Sequence, residues 1–170
     1  MVHDISGEPF VDRVKNIMAY SRPFMLNPHQ WRKYSHPLKL SWSFVKFEDN
    51  NKITVPEERG VYAFVVRHVN DYFPHHGFIM YVGIAGKRGT KRTLRDRFLE
   101  YIVERTQNKR PAVHFMLNAY KEDLFFYYVP VSDTAVELEP LETALNDAIL
   151  PPVSKMDFSA EMRAMKGAFY

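Results

Sequence analysis

The spacing of apolar positions changes period several times along the chain, and each change predicts an element. In residues 9 to 20, PFVDRVKNIMAY, the side chains Phe10, Val14, Ile17 and Met18 recur at helical spacing, which predicts a short amphipathic helix. Pro23, Pro28 and Pro37 then punctuate an irregular connection. Leu38, Leu40, Trp42 and Phe44 alternate with polar partners, the period of a half-buried strand; EDNNK reads as a turn and ITVP as a short strand closed by Pro56. Residues 61–66 and 78–84 are β-branched and aromatic runs that predict two antiparallel strands, joined by a long connection carrying Asn70, Asp71, Pro74, His75, His76 and Gly77.

After Gly89 the period turns helical again. Leu94, Phe98 and Ile102, with Tyr101 and Arg105 alongside, predict a helix over 93–105 that begins near Thr90 or Thr93. RPAVHFMLNAY predicts a second short helix opened by Pro111, and DLFFYYVPV a third strand, over 123–131. Leu138, Leu141, Leu145, Ile149 and Leu150 mark the last clear helix, over about 138–150, which Pro140 either starts or kinks and LPP ends. The expectation is therefore an α+β fold: a small central antiparallel β-sheet of about three core strands flanked by helices. The strand near 38–47 adds to an edge. Residues 1–58 form an N-terminal extension of helix, loop and edge strand, 59–156 the central domain, and 157–170 a tail with a short helix.

A chain of 170 residues supports one well-buried core and is short for two. Its apolar fraction of 46% and charged fraction of 25% are those of a soluble globular protein, and no apolar run is long enough to span a membrane. The opening MVHDISGEPFVDRVKN lacks a basic start followed by an apolar run and carries acids at 4 and 8, so a cytoplasmic location is the default expectation. The absence of cysteine excludes disulfides, thiolate nucleophiles and cysteine metal sites, leaving oxygen or imidazole to hold any metal.

Net charge is only +3, but its distribution is uneven. Lys87, Arg88, Lys91, Arg92, Arg95 and Arg97 lie within one short stretch against the single acid Asp96, a local positive surface suited to phosphates, although a solvated helix start reads the same way. His75 and His76 are adjacent in a loop and read as surface residues, and His114 as a helix-surface or satisfied core histidine. Trp31, Trp42 and the run Phe125 to Tyr128 are assigned to packing rather than to base stacking.

Two short strings stand out: Gly60-Val61-Tyr62 and Tyr81-Val82-Gly83. With the segment Leu94-Arg95-Asp96-Arg97, the context Leu141-Glu142-Thr143-Ala144-Leu145 and the following Pro151-Pro152, their order resembles the GIY-YIG nuclease family over about residues 59–156. The resemblance implies that Arg97 is the family's arginine, after an insertion of about six residues, with Arg95 as the alternative alignment. It implies Tyr101, on the same helix face, as a further site tyrosine, and Glu142 as the metal-binding glutamate. The family's asparagine, about twelve residues after the glutamate, is replaced here by Ser154, whose single hydroxyl has a shorter reach.

What the resemblance implies is a divalent-metal-dependent endonuclease that hydrolyses DNA phosphodiester bonds, with RNA left open as a substrate and oligomeric state unspecified. Tyr62, Tyr81, Arg97, Tyr101 and Glu142 would be catalytic. Glu142 would hold one Mg2+ or Mn2+ ion, and Gly60, Gly83 and Ser154 would support them. Tyr62 would accept the proton of the attacking water, for which its ordinary value of about 10 must fall. Lys87, Arg88, Lys91, Arg92 and Arg95 would grip the flanking backbone. The alternative, motivated by Ser154, is a catalytically impaired nucleic-acid-binding or interaction domain of the same fold.

Overall fold

A computed structural model describes residues 9–70, 72, 74–87 and 89–169. Its centre is a four-stranded, wholly antiparallel open sheet formed by β1 (Ser43–Lys46), β2 (Gly60–Val66), β3 (Phe78–Ala85) and β4 (Leu124–Pro130), in the order β1-β4-β2-β3. The helices are α1 (Phe10–Ala19), α2 (Pro28–Lys33), α3 (Leu94–Gln107), α4 (Pro111–Ala119), α5 (Leu138–Ile149) and α6 (Ala160–Phe169).

Period-two alternation sorts the strands onto two cores. Tyr62, Phe64, Leu124, Phe126 and Tyr128 face one side, where α3 supplies Leu94, Phe98 and Tyr101 and α4 supplies Val113, Met116 and Leu117. Val61, Ala63, Val65, Val82, Ile84 and Val129 face the other, against Leu138, Leu141 and Leu145 of α5. β2 and β4 are interior strands covered on both faces, which is why they read as continuous apolar runs rather than alternating ones. On β3 the register skips Met80 between Tyr81, paired with Phe64, and Ile79, paired with Val65. That bulge lets Met80 and Tyr81 both reach the first core.

Three expectations change. Only residues 43–46 of the 38–47 segment are strand; Leu38 and Leu40 pack on the second core without pairing, so their alternation reports contact with α5's layer rather than a ladder. In place of a turn and a strand, DNNKIT forms a single 3-10 helix, Asp49–Thr54, because Asn51 Nδ2 and the Asn51 and Glu48 N–H groups tie the turn locally and Arg95 takes the carbonyls of Ile53 and Val55. Within the irregular connection, Asn27 caps the short helix α2, with Pro28 at its first position. The sequence-assigned extension thus ends in elements integral to the core, since Phe47 and Val55 are fully buried. Trp31 and Trp42, expected in packing, are 47% and 37% exposed.

Two features position the residues that follow. Thr93 caps α3 in a reciprocal box with Asp96, and the first N–H groups of α3 bond to Glu58 and Pro56, which locks the helix to the start of β2. At the far end, Leu150 takes a left-handed conformation (φ 55°) beyond α5, at a cost of about 1–2 kcal/mol offset by burial of its side chain. The turn sends residues 151–157 back along β3.

Candidate active site

The register pairs Tyr62 with Gly83, so the tyrosine ring lies across the glycine. A Cβ at Gly83 would come 2.5 Å from the Tyr62 hydroxyl and 2.9 Å from the Tyr81 ring; one at Gly60 would come 2.2 Å from the Val129 carbonyl oxygen. Each glycine in the two strings therefore answers a close approach, one to a phenol and the other to a neighbouring strand.

Three phenols gather on this face. The hydroxyls of Tyr62 and Tyr101 are 3.0 Å apart, and the Tyr62–Tyr81, Tyr62–Tyr101 and Tyr81–Tyr101 ring centroids are 6.2, 5.8 and 6.0 Å apart. Tyr62 and Tyr101 are fully buried and Tyr81 is partly exposed. Burial, aided by the neighbouring tyrosines, raises Tyr62 well above its ordinary value against the opposing pull of Arg97. The same cause raises Tyr81. Tyr62 is thus held neutral by its surroundings, the opposite of the lowering that a proton acceptor needs.

Arg97 lies beside them, its guanidinium carbon 5.9 Å from the Tyr62 ring centroid. Nε donates to the Ile84 carbonyl at 3.2 Å and Nη1 to Glu100 at 3.0 Å. Burial works against its charge, and the tyrosines and Glu100 outweigh that effect, so the guanidinium stays protonated.

Glu142 reaches the same place from α5. Burial and then the charge of Asp157 push its carboxyl up to about 7, while Arg97 and a hydrogen bond from the Ile84 backbone pull the other way. Asp157 is raised too, by burial, with Arg97 and Lys87 opposing. Asp157 escaped the sequence reading: nothing in SKMD marks it, and it arrives only because the Leu150 turn folds the chain back. Arg110 was also missed; its guanidinium sits 4.8 Å from the Tyr101 ring centroid and Nη1 3.5 Å from the Tyr101 hydroxyl.

Ser154 is fully buried at the outer edge of β3, where its Oγ accepts from the Val82 N–H at 3.4 Å and the neighbouring Val153 N–H bonds to Met80. With Arg97 and Glu142 on Ile84, these contacts occupy the polar groups of an otherwise unpaired edge.

The basic stretch divides. Arg95 points away from the tyrosines: it bonds to the carbonyls of Val55 and Ile53 and to the Glu57 carboxylate. Arg92 pairs with Glu100 at 2.8 Å. Lys87 and Lys91 are exposed, and Arg88 lies outside the described residues. The structure therefore sets Arg97, not Arg95, among the tyrosines.

Among the described residues no group of three or more histidines, aspartates or glutamates is arranged to hold a metal ion, and no helix is long and apolar enough to cross a membrane. Glu142 and Asp157 are the carboxylates available at the site. Compared with protein-family models, with curated proteins and with solved structures, the chain has no match in any of the three.

Proposed function

We propose that this chain is a divalent-metal-dependent endonuclease acting on DNA by a GIY-YIG-like mechanism. The observation that supports this reading best is the convergence, from four separate elements, of Tyr62, Tyr81, Arg97, Tyr101 and Glu142 around the Ile84 end of β3.

A divalent ion fits the donors present. The charge of Asp157 raises the proton affinity of Glu142, and a divalent cation relieves that repulsion while asking for few protein carboxylates. Glu142, with Asp157 beside it, would hold magnesium or manganese. When bound, the ion supplies neutralisation of phosphate charge and a bound water of lowered pKa. Arg97 binds the scissile phosphate and stabilises the charge that develops on it; among the described residues its Nη2 has no hydrogen-bond partner. Tyr81, on the open side, orients the attacking water. Tyr62 and Tyr101, sealed beneath, fix Tyr81 and Arg97 in place.

The test is nicking of supercoiled plasmid by the purified protein with magnesium, with and without EDTA. Nicking that requires metal and disappears in Glu142→Ala and Arg97→Ala supports the reading; its absence under every divalent ion overturns it. The second reading, a DNA-binding domain without turnover, is favoured by complete burial of Tyr62 and Tyr101 and by Ser154 in the asparagine's position.

A further inference from the structure

Along the outer side of α3 runs an open groove of about 910 Å³, bounded by Thr90 and Lys91 before the helix and by Lys109 and Arg110 after it. Leu99 and Val103, 36% and 48% exposed, form an apolar floor. The groove also contains three carboxylates, and each is already committed. Asp96 closes the α3 capping box, Glu100 pairs with Arg92 and Arg97, and the buried Glu104 accepts the backbone N–H of Arg110 at 2.8 Å. Lys91, Lys109 and Arg110 have no carboxylate within ion-pair distance among the described residues. The groove therefore carries cations at both ends, Lys91 before the helix and Lys109 and Arg110 after it, with carboxylates between them that are held by the α3 cap, by Arg92 and Arg97 and by the Arg110 backbone.

Arg110 connects this groove to the site. Its Nη1 is 3.5 Å from the Tyr101 hydroxyl, which is itself 3.0 Å from that of Tyr62. Its backbone is anchored by Glu104 and by the start of α4 at Pro111, so the arginine stands at a fixed point where the tyrosine cluster meets the groove. We propose that the DNA strand flanking the cleaved bond lies in this groove, with Arg110 on the phosphate nearest the tyrosines and Lys109 and Lys91 on phosphates further out. The sugars lie over Leu99 and Val103. The inference rests on the nuclease reading for the placement of DNA at the tyrosines. It replaces a grip by the whole 87–95 stretch with one shared between Lys91 and the α3–α4 turn. Cations spaced along an open groove suit a phosphodiester chain, whose affinity is spread over many salt-sensitive contacts.

The experiment is fluorescence anisotropy of a labelled DNA duplex of about 20 base pairs, two helical turns, titrated with protein in EDTA at several salt concentrations. Arg110→Ala is expected to raise Kd about tenfold, and Lys109→Ala and Lys91→Ala about threefold, each lowering the slope of log Kd against log salt by about 1. Arg110→Lys restores the slope, and Lys15→Ala on α1 changes nothing. Lys109→Ala removes no structural contact among the described residues and carries the test if Arg110→Ala fails to fold. Wild-type Kd and slope in all three alanine variants, or a wild type that binds no DNA, overturns the groove. A protein that never nicks plasmid but loses affinity in these variants overturns the nuclease reading and leaves the groove. Nicking with neutral groove variants does the reverse.

Discussion

Ile84 divides the site into two regions of opposite character. Inward of it, Tyr62 and Tyr101 share a hydroxyl contact with no exposure to solvent, Tyr62 stacked on Phe126 and Tyr101 edge-on to Phe64. Outward, Glu142 and Asp157 are only partly buried; burial raises the proton affinity of both, and the charge of Asp157 adds to it at Glu142. The inner region stabilises the fold and is chemically quiet. The outer one carries an electrostatic cost that the fold tolerates, the usual mark of groups kept for a ligand or a reaction. Arg97 spans the two, close to the Tyr62 ring on one side and lowering Glu142 and Asp157 on the other.

The widest separation between the regions is expected from paired truncations. Tyr62→Ala removes a fully buried aromatic ring and should cost about 3–5 kcal/mol, measured by urea unfolding, with activity falling only because the protein unfolds. Glu142→Ala should lower metal-dependent nicking at least about 100-fold with little loss of melting temperature. Tyr62→Phe sharpens the contrast: it keeps the ring and loses only the 3.0 Å contact, for about 1 kcal/mol. A folded Tyr62→Phe protein without activity would place the inner phenol in the chemistry and break the division.

Gly83→Ala probes the boundary from the backbone side. Its Cβ would intrude on Tyr62 and Tyr81 together, so a loss of about 1–3 kcal/mol is expected, read as a lower urea midpoint. An unchanged midpoint would mean that Tyr62 moves readily, and the inner region would no longer be rigid.

How much of this was legible follows the range of the interactions. The strings around Tyr62 and Tyr81 are local strand patterns, and Thr93, Leu94 and Phe98 announce α3, so these elements and the order of Arg97 and Glu142 could be read from the sequence. Asp157 and Arg110 could not, because each acquires its neighbours only through a chain reversal, at Leu150 and at the α3–α4 turn. The segment 49–54 misled for the opposite reason: β-branched Ile53 and Thr54 suggest a strand, and a distant arginine, Arg95, takes their carbonyl region into a 3-10 turn instead. The charge run 87–97 looked uniform, and only tertiary pairing separates Arg95 and Arg92 from Lys91.

The outer region has a pH signature. The Glu142 carboxyl rises from 4.5 to about 7 on folding, so the folded protein binds that proton more tightly than the unfolded chain does. Its stabilising contribution is complete below pH 4.5 and lost as pH rises through about 7. Glu142→Gln, which keeps the shape without the charge, should therefore match the wild type near pH 4 and exceed it near pH 8, by about 1–2 kcal/mol after allowing for partial exposure. Thermal melts of both proteins across that range check it. A wild type equally stable at both pH values would mean that the carboxylates are well solvated, and the contrast with the tyrosines would shrink to one of burial alone.

The smallest expected effect belongs to Ser154, which touches neither region directly. Its hydroxyl meets the Val82 N–H at 3.4 Å, a long contact, and Val82 lies two residues before Ile84, on whose backbone both Arg97 and Glu142 depend. Ser154→Ala leaves that N–H buried without its partner, a loss of about 1 kcal/mol. Through the small displacement this permits at Ile84, nicking should slow by less than about tenfold, with affinity for the labelled duplex unchanged. Urea unfolding and nicking rates on the same preparation separate the two effects. A larger fall in rate than the stability change accounts for would mean that the edge of β3 transmits position to Arg97 and Glu142 sensitively, and that Ser154 tunes the nicking rate. Equal, small changes would mean that Ser154 only satisfies an edge strand, with the position of the carboxylates fixed by α5 and the Leu150 turn.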